Sequence, residues 1–290
     1  MPRIALVTYD PRPEASRDLD LPVLLDALRA AGAEADAVYW DDDGVDWGGY
    51  DLAVIRSTWD YSWRVAEFVA WAERCAKVTR LANPAEVVRW NTDKRYLGEL
   101  AAAGVPTVPT RYLGPGDAVD LPADREYVVK PTTGAGARYA ARYTPDQHDT
   151  AVRQLARMHA EGLTAMVQPY MTGIDAGGER ALLYFGGRLL HASRKRAVLA
   201  RGTAFDADKF PHPGLEPWAA TEAEREVAER ALAAVPEAPE LLYARVDLVD
   251  GEDGRPRVME LELVEPNLFL DLHPGSLPSV VAAVLSAAAG

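Results

Sequence analysis

Hydrophobic and polar positions follow two periods in the first part of the chain. Residues 4–8 and 51–56 form short apolar runs, as in strands that are buried on both faces. Apolar positions then recur every three or four residues over 20–32 and 65–76, which predicts a helix after each strand. Asp20 is expected to cap the first helix, because a carboxylate can accept hydrogen bonds from its free N–H groups. This β-α-β-α order predicts a doubly wound α/β domain at the start of the chain.

The middle of the chain continues with mixed patterns, and strands prevail after residue 165. A helix is predicted over 91–103, a strand over 126–130, and a helix after the Thr144–Gln147 capping box. The later strands are expected over 165–171, 180–185, 188–193, 242–249 and 257–264, with one helix that begins at Thr221. The predicted domains are 1–90, an α/β domain, and two α+β subdomains, 91–170 and 171–290.

The last two predicted strands carry a group of charged residues on one face. Alternation places Arg245 and Asp247 on one face of the first strand, and Glu260 and Glu262 on one face of the second. A hairpin over 250–254 would set Asp247 opposite Glu260 and Arg245 opposite Glu262. The same register pairs apolar residues on the other face: Val246 with Leu261 and Leu248 with Met259.

The three carboxylates of this hairpin point to a metal site. Asp247, Glu260 and Glu262 would repel one another at such short range, and a hard divalent cation removes that repulsion. Oxygen-only ligation favours Mg²⁺ or Mn²⁺. The alternative is a solvated polar face without a ligand.

Two lysines are candidates for binding phosphate groups. Lys130 ends a strand and is followed by a loop with Gly134 and Gly136, whose free N–H groups suit a nucleotide phosphate. Lys94 lies near the start of a predicted helix. Each lysine could also be purely structural.

Residues 194–201 contain four basic residues and no acidic residue. They open an irregular stretch that extends to Pro217, and long irregular loops are often lids over binding sites. A solvated surface loop is the alternative interpretation.

Bulk composition narrows the functional classes. The chain has 290 residues and a net charge of −13, which argues against nucleic acid or an anionic membrane as the main partner. Cys75 is the single cysteine, so an internal disulfide and a cysteine-based zinc cluster are excluded. Neither a long apolar segment nor a secretion signal stands out, so a cytoplasmic protein is expected.

The order of these features along the chain resembles the ATP-grasp superfamily of carboxylate–amine ligases. The resemblance implies a fold in which two α+β subdomains hold ATP between them, with Mg²⁺ or Mn²⁺ on Asp247, Glu260 and Glu262. Residues that it implies for ATP binding are Lys94, Lys130, Gly134, Gly136, Gln168, Tyr170, Met171 and Asp175. Glu262 departs from the pattern, because many members have asparagine there. Arg245 and Arg194 are the expected catalytic residues, which would hold the phosphoryl and acyl oxygens.

The first domain suggests where an amino-acid substrate binds. Asp10 and the run Ser57, Thr58, Trp59 and Asp60 follow the ends of its strands, where α/β sheets bind ligands. This run and residues 265–270 resemble ligases that close O-ureido-D-serine to D-cycloserine in antibiotic biosynthesis. Such an enzyme would activate a carboxylate as an acyl phosphate and release ADP.

Two other functions stay open at this point. An intermolecular ligase would join an amino acid to an amine or a peptide, and would need a second substrate pocket. A non-catalytic nucleotide-binding module would bind ATP without releasing phosphate, although the intact set of lysines and carboxylates argues against it. A homo-oligomer is also possible.

Overall fold

The structure is a computed structural model that describes residues 1–10, 18–206, 214–237 and 240–290. Its strands are β1 (Arg3–Thr8), β2 (Glu34–Tyr39), β3 (Leu52–Ser57), β4 (Arg80–Ala82), β5 (Arg111–Leu113), β6 (Tyr127–Pro131), β7 (Ala141–Tyr143), β8 (Ala165–Pro169), β9 (Glu179–Phe185), β10 (Arg188–Lys195), β11 (Leu215–Trp218), β12 (Tyr243–Asp250) and β13 (Pro256–Glu262). Its α-helices are α1 (Asp20–Ala30), α2 (Val65–Cys75), α3 (Ala85–Asn91), α4 (Tyr96–Ala102), α5 (His148–Ala160), α6 (Gly173–Gly177), α7 (Glu222–Ala233) and α8 (Leu277–Ala289).

Three sheets organise these elements. The first is parallel, with strand order β2-β1-β3-β4, as expected for a doubly wound domain. The second has the order β5-β8-β6-β7 and the third the order β11-β10-β9-β12-β13, and both are antiparallel. None of the described helices is both long and apolar enough to cross a membrane.

Each sheet falls within one of the three predicted ranges, but the hydrophobic cores cross their boundaries. Side chains of α3 and α4, such as Val87 and Leu97, pack with Leu182 and Val246 of the third sheet. Helix α8 at the end of the chain packs on α1 and shares its core. The first and last thirds of the chain therefore share their hydrophobic cores.

The helix predicted over 91–103 is broken in the structure. Helix α3 ends at Asn91 and α4 begins at Tyr96, so Lys94 lies in the turn between them. The backbone N–H of Lys94 donates to Thr132 O (2.8 Å), and Asp93 accepts from the N–H of Arg95 (3.0 Å). These bonds replace helical ones, and they bring Lys94 to the loop that follows Lys130.

Asp20 does not cap α1 as predicted. The carboxylate of Asp18 accepts from the N–H groups of Asp20 and Leu21 at 2.8 and 3.1 Å, so Asp18 fills that role. The buried Asp20 carboxylate instead accepts three backbone N–H groups from Leu268 (2.7 Å), Phe269 (3.2 Å) and Leu270 (2.8 Å). It thereby ties the start of α1 to a segment about 250 residues later in the chain.

We expect Asp20→Ala to destabilise the protein strongly. Three buried N–H groups would lose their acceptor, and each unsatisfied group costs about 1–3 kcal/mol, so the loss should reach at least about 3 kcal/mol. Asp18→Ala removes only a helix cap, which costs about 1 kcal/mol, and serves as the control. Urea unfolding of both variants measures the difference, and equal losses would contradict the role assigned to Asp20.

Candidate active site

A cavity of about 390 Å³ opens where the three sheets meet. Its lining includes six basic and five acidic side chains, together with an apolar end and an aromatic wall. Most of the residues that the sequence singled out for ATP and metal binding lie in this lining: Lys94, Lys130, Gly134, Gly136, Gln168, Tyr170, Met171, Arg245, Asp247, Glu260 and Glu262.

One end of the cavity is apolar. Val108, Met171, Ile174 and Met259 line it and pack with one another. Strand β8 runs along its edge and continues into Tyr170 and Met171. The Tyr170 N–H donates to Glu126 O (2.9 Å), and the Met171 carbonyl accepts from Ile174 N (3.0 Å).

The two predicted lysines lie next to the glycine loop. Lys94 Nζ donates to Gly134 O (2.7 Å) and pairs with Glu260 (3.2 Å). Burial alone would lower the pKa of Lys94, but Glu260 and neighbouring carboxylates outweigh it and raise that pKa. Burial lowers the pKa of Lys130, which is in no ion pair among the residues that the structure describes. Lys130 thus offers a buried positive charge to an incoming anion.

The hairpin of β12 and β13 has the predicted register where it carries the charged residues. Arg245 lies opposite Glu262, and Asp247 lies opposite Glu260. Beyond Asp247 the register shifts by one residue, so Leu248 pairs with Val258 and not with Met259. This bulge turns Met259 from the core face toward the cavity, which strict alternation could not predict.

A buried ion cluster forms the floor of the cavity. Both oxygens of Asp247 are bonded: Arg245 donates to each at 2.9 Å, and Lys195 Nζ donates to Oδ2 at 2.7 Å. Arg245 also binds Glu262, and Lys195 also binds Glu179. The Arg245, Asp247 and Lys195 side chains are only 2–6% exposed.

The pKa values within this cluster follow from burial and pairing. Burial opposes the charge on Asp247, but Arg245 and Lys195 outweigh it and hold the Asp247 pKa well below its usual range. Burial raises the pKa of Glu179 to about 7 despite Lys195, and that of Glu262 to about 8 despite Arg245. Pairing therefore favours the charged form of Asp247, whereas burial favours the neutral forms of the two glutamates.

The outer edge of β13 is held by the backbone of residues 106–108 at Val258 and by side chains further along the strand. The Asn91 side chain donates to Leu261 O (2.8 Å) and accepts from the backbone N–H of Leu263 (2.8 Å), the residue after Glu262. The Tyr96 hydroxyl accepts from Leu261 N (2.9 Å). Glu260 and Glu262 thus project from a strand that is fixed on both edges.

The three hairpin carboxylates lie side by side, as predicted, but each one is bonded to a basic side chain. Among the described residues, no group of three histidine, cysteine, aspartate or glutamate side chains is arranged to hold a metal ion. Carboxylate oxygens are nevertheless the ligands that Mg²⁺ and Mn²⁺ prefer, and Glu260 and Glu262 face the cavity. Asp247 could join them only by releasing one of its two cations.

Several predicted site residues lie outside the cavity lining. Arg194 pairs with Glu216 and stacks on Trp218, because alternation along β10 turns it away from the cavity. The next residue, Lys195, points inward and lines the cavity. Asp175 pairs with Arg142 (3.4 Å) and accepts a hydrogen bond from Tyr170, which is itself a lining residue.

The predicted substrate segment reaches the cavity with different side chains. Trp59 lines it, whereas Asp10 is exposed outside, and Ser57 (bonded to Thr8) and Thr58 are buried in the first domain. Asp60 is held by Trp40 Nε1 (2.9 Å). The residues of this domain that reach the cavity are mainly aromatic: Tyr9, Trp59, Tyr61 and Trp63, together with Ser62.

The glycine loop is tied to this aromatic wall. Arg138 donates to Ser62 O (3.2 Å), and its guanidinium lies 3.1 Å from the Trp63 ring centre. The predicted lid, 194–217, contributes Arg196, Val198 and Leu199 to the lining, and its residues 207–213 lie outside the described residues.

The sequence interpretation missed Lys195, Glu179 and Glu265. Lys195 could have been found by extending the period-two pattern of β10 by two residues, because it shares a face with the buried Ser193. Glu265 begins the segment 265–270 on which the resemblance rests, but it follows the last strand, where no alternation indicates the direction of its side chain.

Comparison with solved structures identifies the class of protein. A D-alanine–D-alanine ligase from Bacillus anthracis, solved with ATP, superimposes with a TM-score of 0.68 at 16% identity, over 99% of this chain and 97% of that one. An ATP-grasp protein from Sphaerobacter thermophilus gives 0.67 at 20% identity, over 99% and 100% of the two chains. The fold is that of the ATP-grasp ligases, as predicted.

Closer relatives define the family. The crystal structure of the D-cycloserine synthetase DcsG matches with a TM-score of 0.88 at 38% identity, over 99% of both chains. The cycloserine biosynthesis protein DcsG of Streptomyces lavendulae is 42% identical over 87% of this chain and 88% of its own. Residues 4–83 match the family model for the DcsG N-terminal domain. The chain belongs to the D-cycloserine synthetase family, and the prediction of an ATP-dependent ligase is confirmed.

We expect Lys195→Met to destabilise the protein by about 3–5 kcal/mol, because it leaves Glu179 and Asp247 short of a buried partner. Without this cation the pKa values of both carboxyls rise in the folded state. Both carboxyls are already mostly ionised at pH 5 in the unfolded protein, so folding has to return protons to them, and this proton uptake costs more at pH 8. The loss of stability should therefore be larger at pH 8 than at pH 5.

Thermal and urea unfolding at the two pH values measure this effect. Lys77→Met, at an exposed lysine on the surface, is the matched control and should leave stability nearly unchanged. A Lys195→Met protein as stable as this control would show that the cluster does not depend on Lys195.

Proposed function

We propose that this protein is an ADP-forming cyclo-ligase that closes O-ureido-D-serine to D-cycloserine. The observation that carries the proposal is the meeting of Lys94 and Lys130 with the carboxylate hairpin in one cavity. The 42% identity to a cycloserine biosynthesis protein supports the choice of substrate. As an ATP-consuming biosynthetic enzyme, it would act in the cytoplasm on a small molecule.

ATP would span the cavity from its apolar end to the two lysines. The adenine ring fits between Ile174 and Met259, beside the backbone of Tyr170 and Met171. The phosphates would then reach Lys94 and Lys130, beneath the glycine loop. Gly136 has a φ of +61°, a conformation that glycine adopts without strain and that helps the loop present its N–H groups.

The substrate would lie between the phosphates and the aromatic wall of the first domain. Trp59 and Tyr61 border this part of the cavity, which adjoins Arg245 and Glu262. Arg245 binds carboxylates through Nε and Nη2, while Nη1 faces only the backbone oxygen of Asn267 at 3.4 Å. That nitrogen is the one placed to contact an acyl or phosphoryl oxygen.

The reaction has two steps in this arrangement. An oxygen of the substrate carboxylate attacks the γ-phosphorus of ATP, which forms an acyl phosphate and releases ADP. The ureido nitrogen bonded to oxygen then attacks the acyl carbon, phosphate leaves, and a five-membered ring closes. The carbamoyl group is lost by hydrolysis as carbon dioxide and ammonia. Ring closure is favoured because nucleophile and electrophile belong to one molecule.

Mg²⁺ or Mn²⁺ would be held by Glu260 and Glu262, and by Asp247 once one of its ion pairs opens. The ion would supply charge neutralisation at the β- and γ-phosphates. Lys94 forms a salt bridge with Glu260 in this structure, so a phosphate that binds Lys94 would free this carboxylate for the metal.

Turnover assays with the purified protein test the proposed function. ATP, Mg²⁺ and O-ureido-D-serine should yield ADP and D-cycloserine in equal amounts, without an added amine. ADP that forms only when a second amino acid is present would instead identify an intermolecular ligase. ATP binding without any ADP release would indicate a non-catalytic module.

Glu262→Gln tests the metal assignment. The amide keeps an oxygen that can accept from Arg245 but loses the charge that a hard cation prefers, so half-maximal ADP release should need at least about tenfold more Mg²⁺. Stability without metal should change little. Glu252→Gln, on the exposed hairpin turn, is the control. Superimposable Mg²⁺ curves for the wild-type protein and Glu262→Gln would remove Glu262 from the metal site.

A further inference from the structure

Five carboxylates line the cavity, and Glu265 differs from the other four. Those four each have a lysine or arginine partner: Glu179, Asp247, Glu260 and Glu262. Glu265 is in no ion pair among the residues that the structure describes. Its side chain is held instead by a neutral donor, the hydroxyl group of the buried Tyr61.

The surroundings of Glu265 keep its carboxylate in place without neutralising it. The backbone oxygen of Glu265 accepts from Trp59 Nε1 (3.4 Å), and the next carbonyl, that of Pro266, accepts from Arg56 (2.9 Å). Burial raises the pKa of Glu265 to about 7, although Lys94 and Tyr61 act in the opposite direction. A carboxylate fixed at a partly buried position without a cation is suited to a cationic ligand.

An amino-acid substrate brings such a cation in its α-ammonium group. The acidic residues of the first domain do not offer it a partner in the cavity, because Asp10 lies outside and Asp60 is bonded to Trp40. Glu265 lies beside the aromatic wall on one side and is close enough to Lys94 to interact with its charge on the other.

We propose that Glu265, positioned by Tyr61, binds the α-ammonium group of the substrate. The ammonium and the carboxylate are attached to the same carbon atom, so an ammonium group fixed at Glu265 keeps the carboxylate within a few ångströms of it. That position faces the phosphate end at Lys94, where phosphorylation must occur. The assignment rests on the proposed function and names the group that selects its substrate.

Glu265→Gln is the first test, since the amide still accepts from Tyr61 but carries no charge. The KM for O-ureido-D-serine should rise at least tenfold, with the KM for ATP unchanged. The second ligand is 3-(ureidooxy)propanoate, the same molecule without its amino group. For wild-type protein, its inhibition constant should be at least tenfold higher than the KM of the substrate. Glu265→Gln should leave this inhibition constant unchanged.

Controls separate binding from folding. Glu252→Gln should leave all of these constants unchanged. Tyr61→Phe removes only the hydroxyl group and should raise the KM for the substrate without affecting the desamino compound. Thermal unfolding shows whether Glu265→Gln is folded. If it is not, Tyr61→Phe alone tests the proposal.

The outcomes distinguish the two proposals. Suppose that wild-type protein turns over O-ureido-D-serine. If Glu265→Gln then weakens the binding of both ligands equally, or of neither, Glu265 is not the ammonium partner. In the Tyr61→Phe test, an equal effect on both ligands, or none, has the same meaning. If wild-type protein releases no ADP with this substrate, the proposed function fails and the assignment of Glu265 falls with it.

Discussion

The buried charge of Asp247 is the constraint on which the rest of the site depends. A carboxylate with 2% exposure is stable only when it is paired and hydrogen-bonded, and here it needs both Arg245 and Lys195. Arg245 comes from the same strand, but Lys195 comes from β10, two strands away in the sheet order. The pairing therefore fixes three neighbouring strands relative to one another, and a slip of any of them by one residue would leave a buried charge without a partner.

Much of this arrangement could be predicted from the sequence, because it follows from period-two alternation. The pairs Arg245–Glu262 and Asp247–Glu260 are correct, and the charged residues share one face as expected, whereas the predicted pairing of Leu248 with Met259 is wrong. The bulge after Asp247 was not predictable, since an extra residue in one strand leaves no local mark in the pattern. Arg194 shows a different limit: the basic run was found, but the strand that sets its direction extends further than the apolar pattern does.

Contacts between distant parts of the chain account for what sequence reasoning missed in the first domain. The segment after β13 is held by residues that precede it by more than 200 positions, through Arg56, Trp59 and the three bonds to Asp20. No local propensity indicates such contacts. Asp20 looks like a helix cap, and Asp60 looks like a ligand at a strand end. Their roles depend on which side chains the tertiary fold brings near them.

In the proposed reaction, these long-range bonds would allow one cavity to bind two substrates. The aromatic wall and residues 265–270 are a single packed unit, so a group bound at the wall is held at a fixed distance from the hairpin carboxylates. The phosphate end is adjustable by contrast, because Lys94 holds Glu260 through a salt bridge that an anion can replace. In the proposed reaction, a phosphate that binds Lys94 would release Glu260, which would then be free to hold the metal ion. The exchange leaves the local charge nearly balanced at each stage, which a buried site in a low-dielectric interior requires.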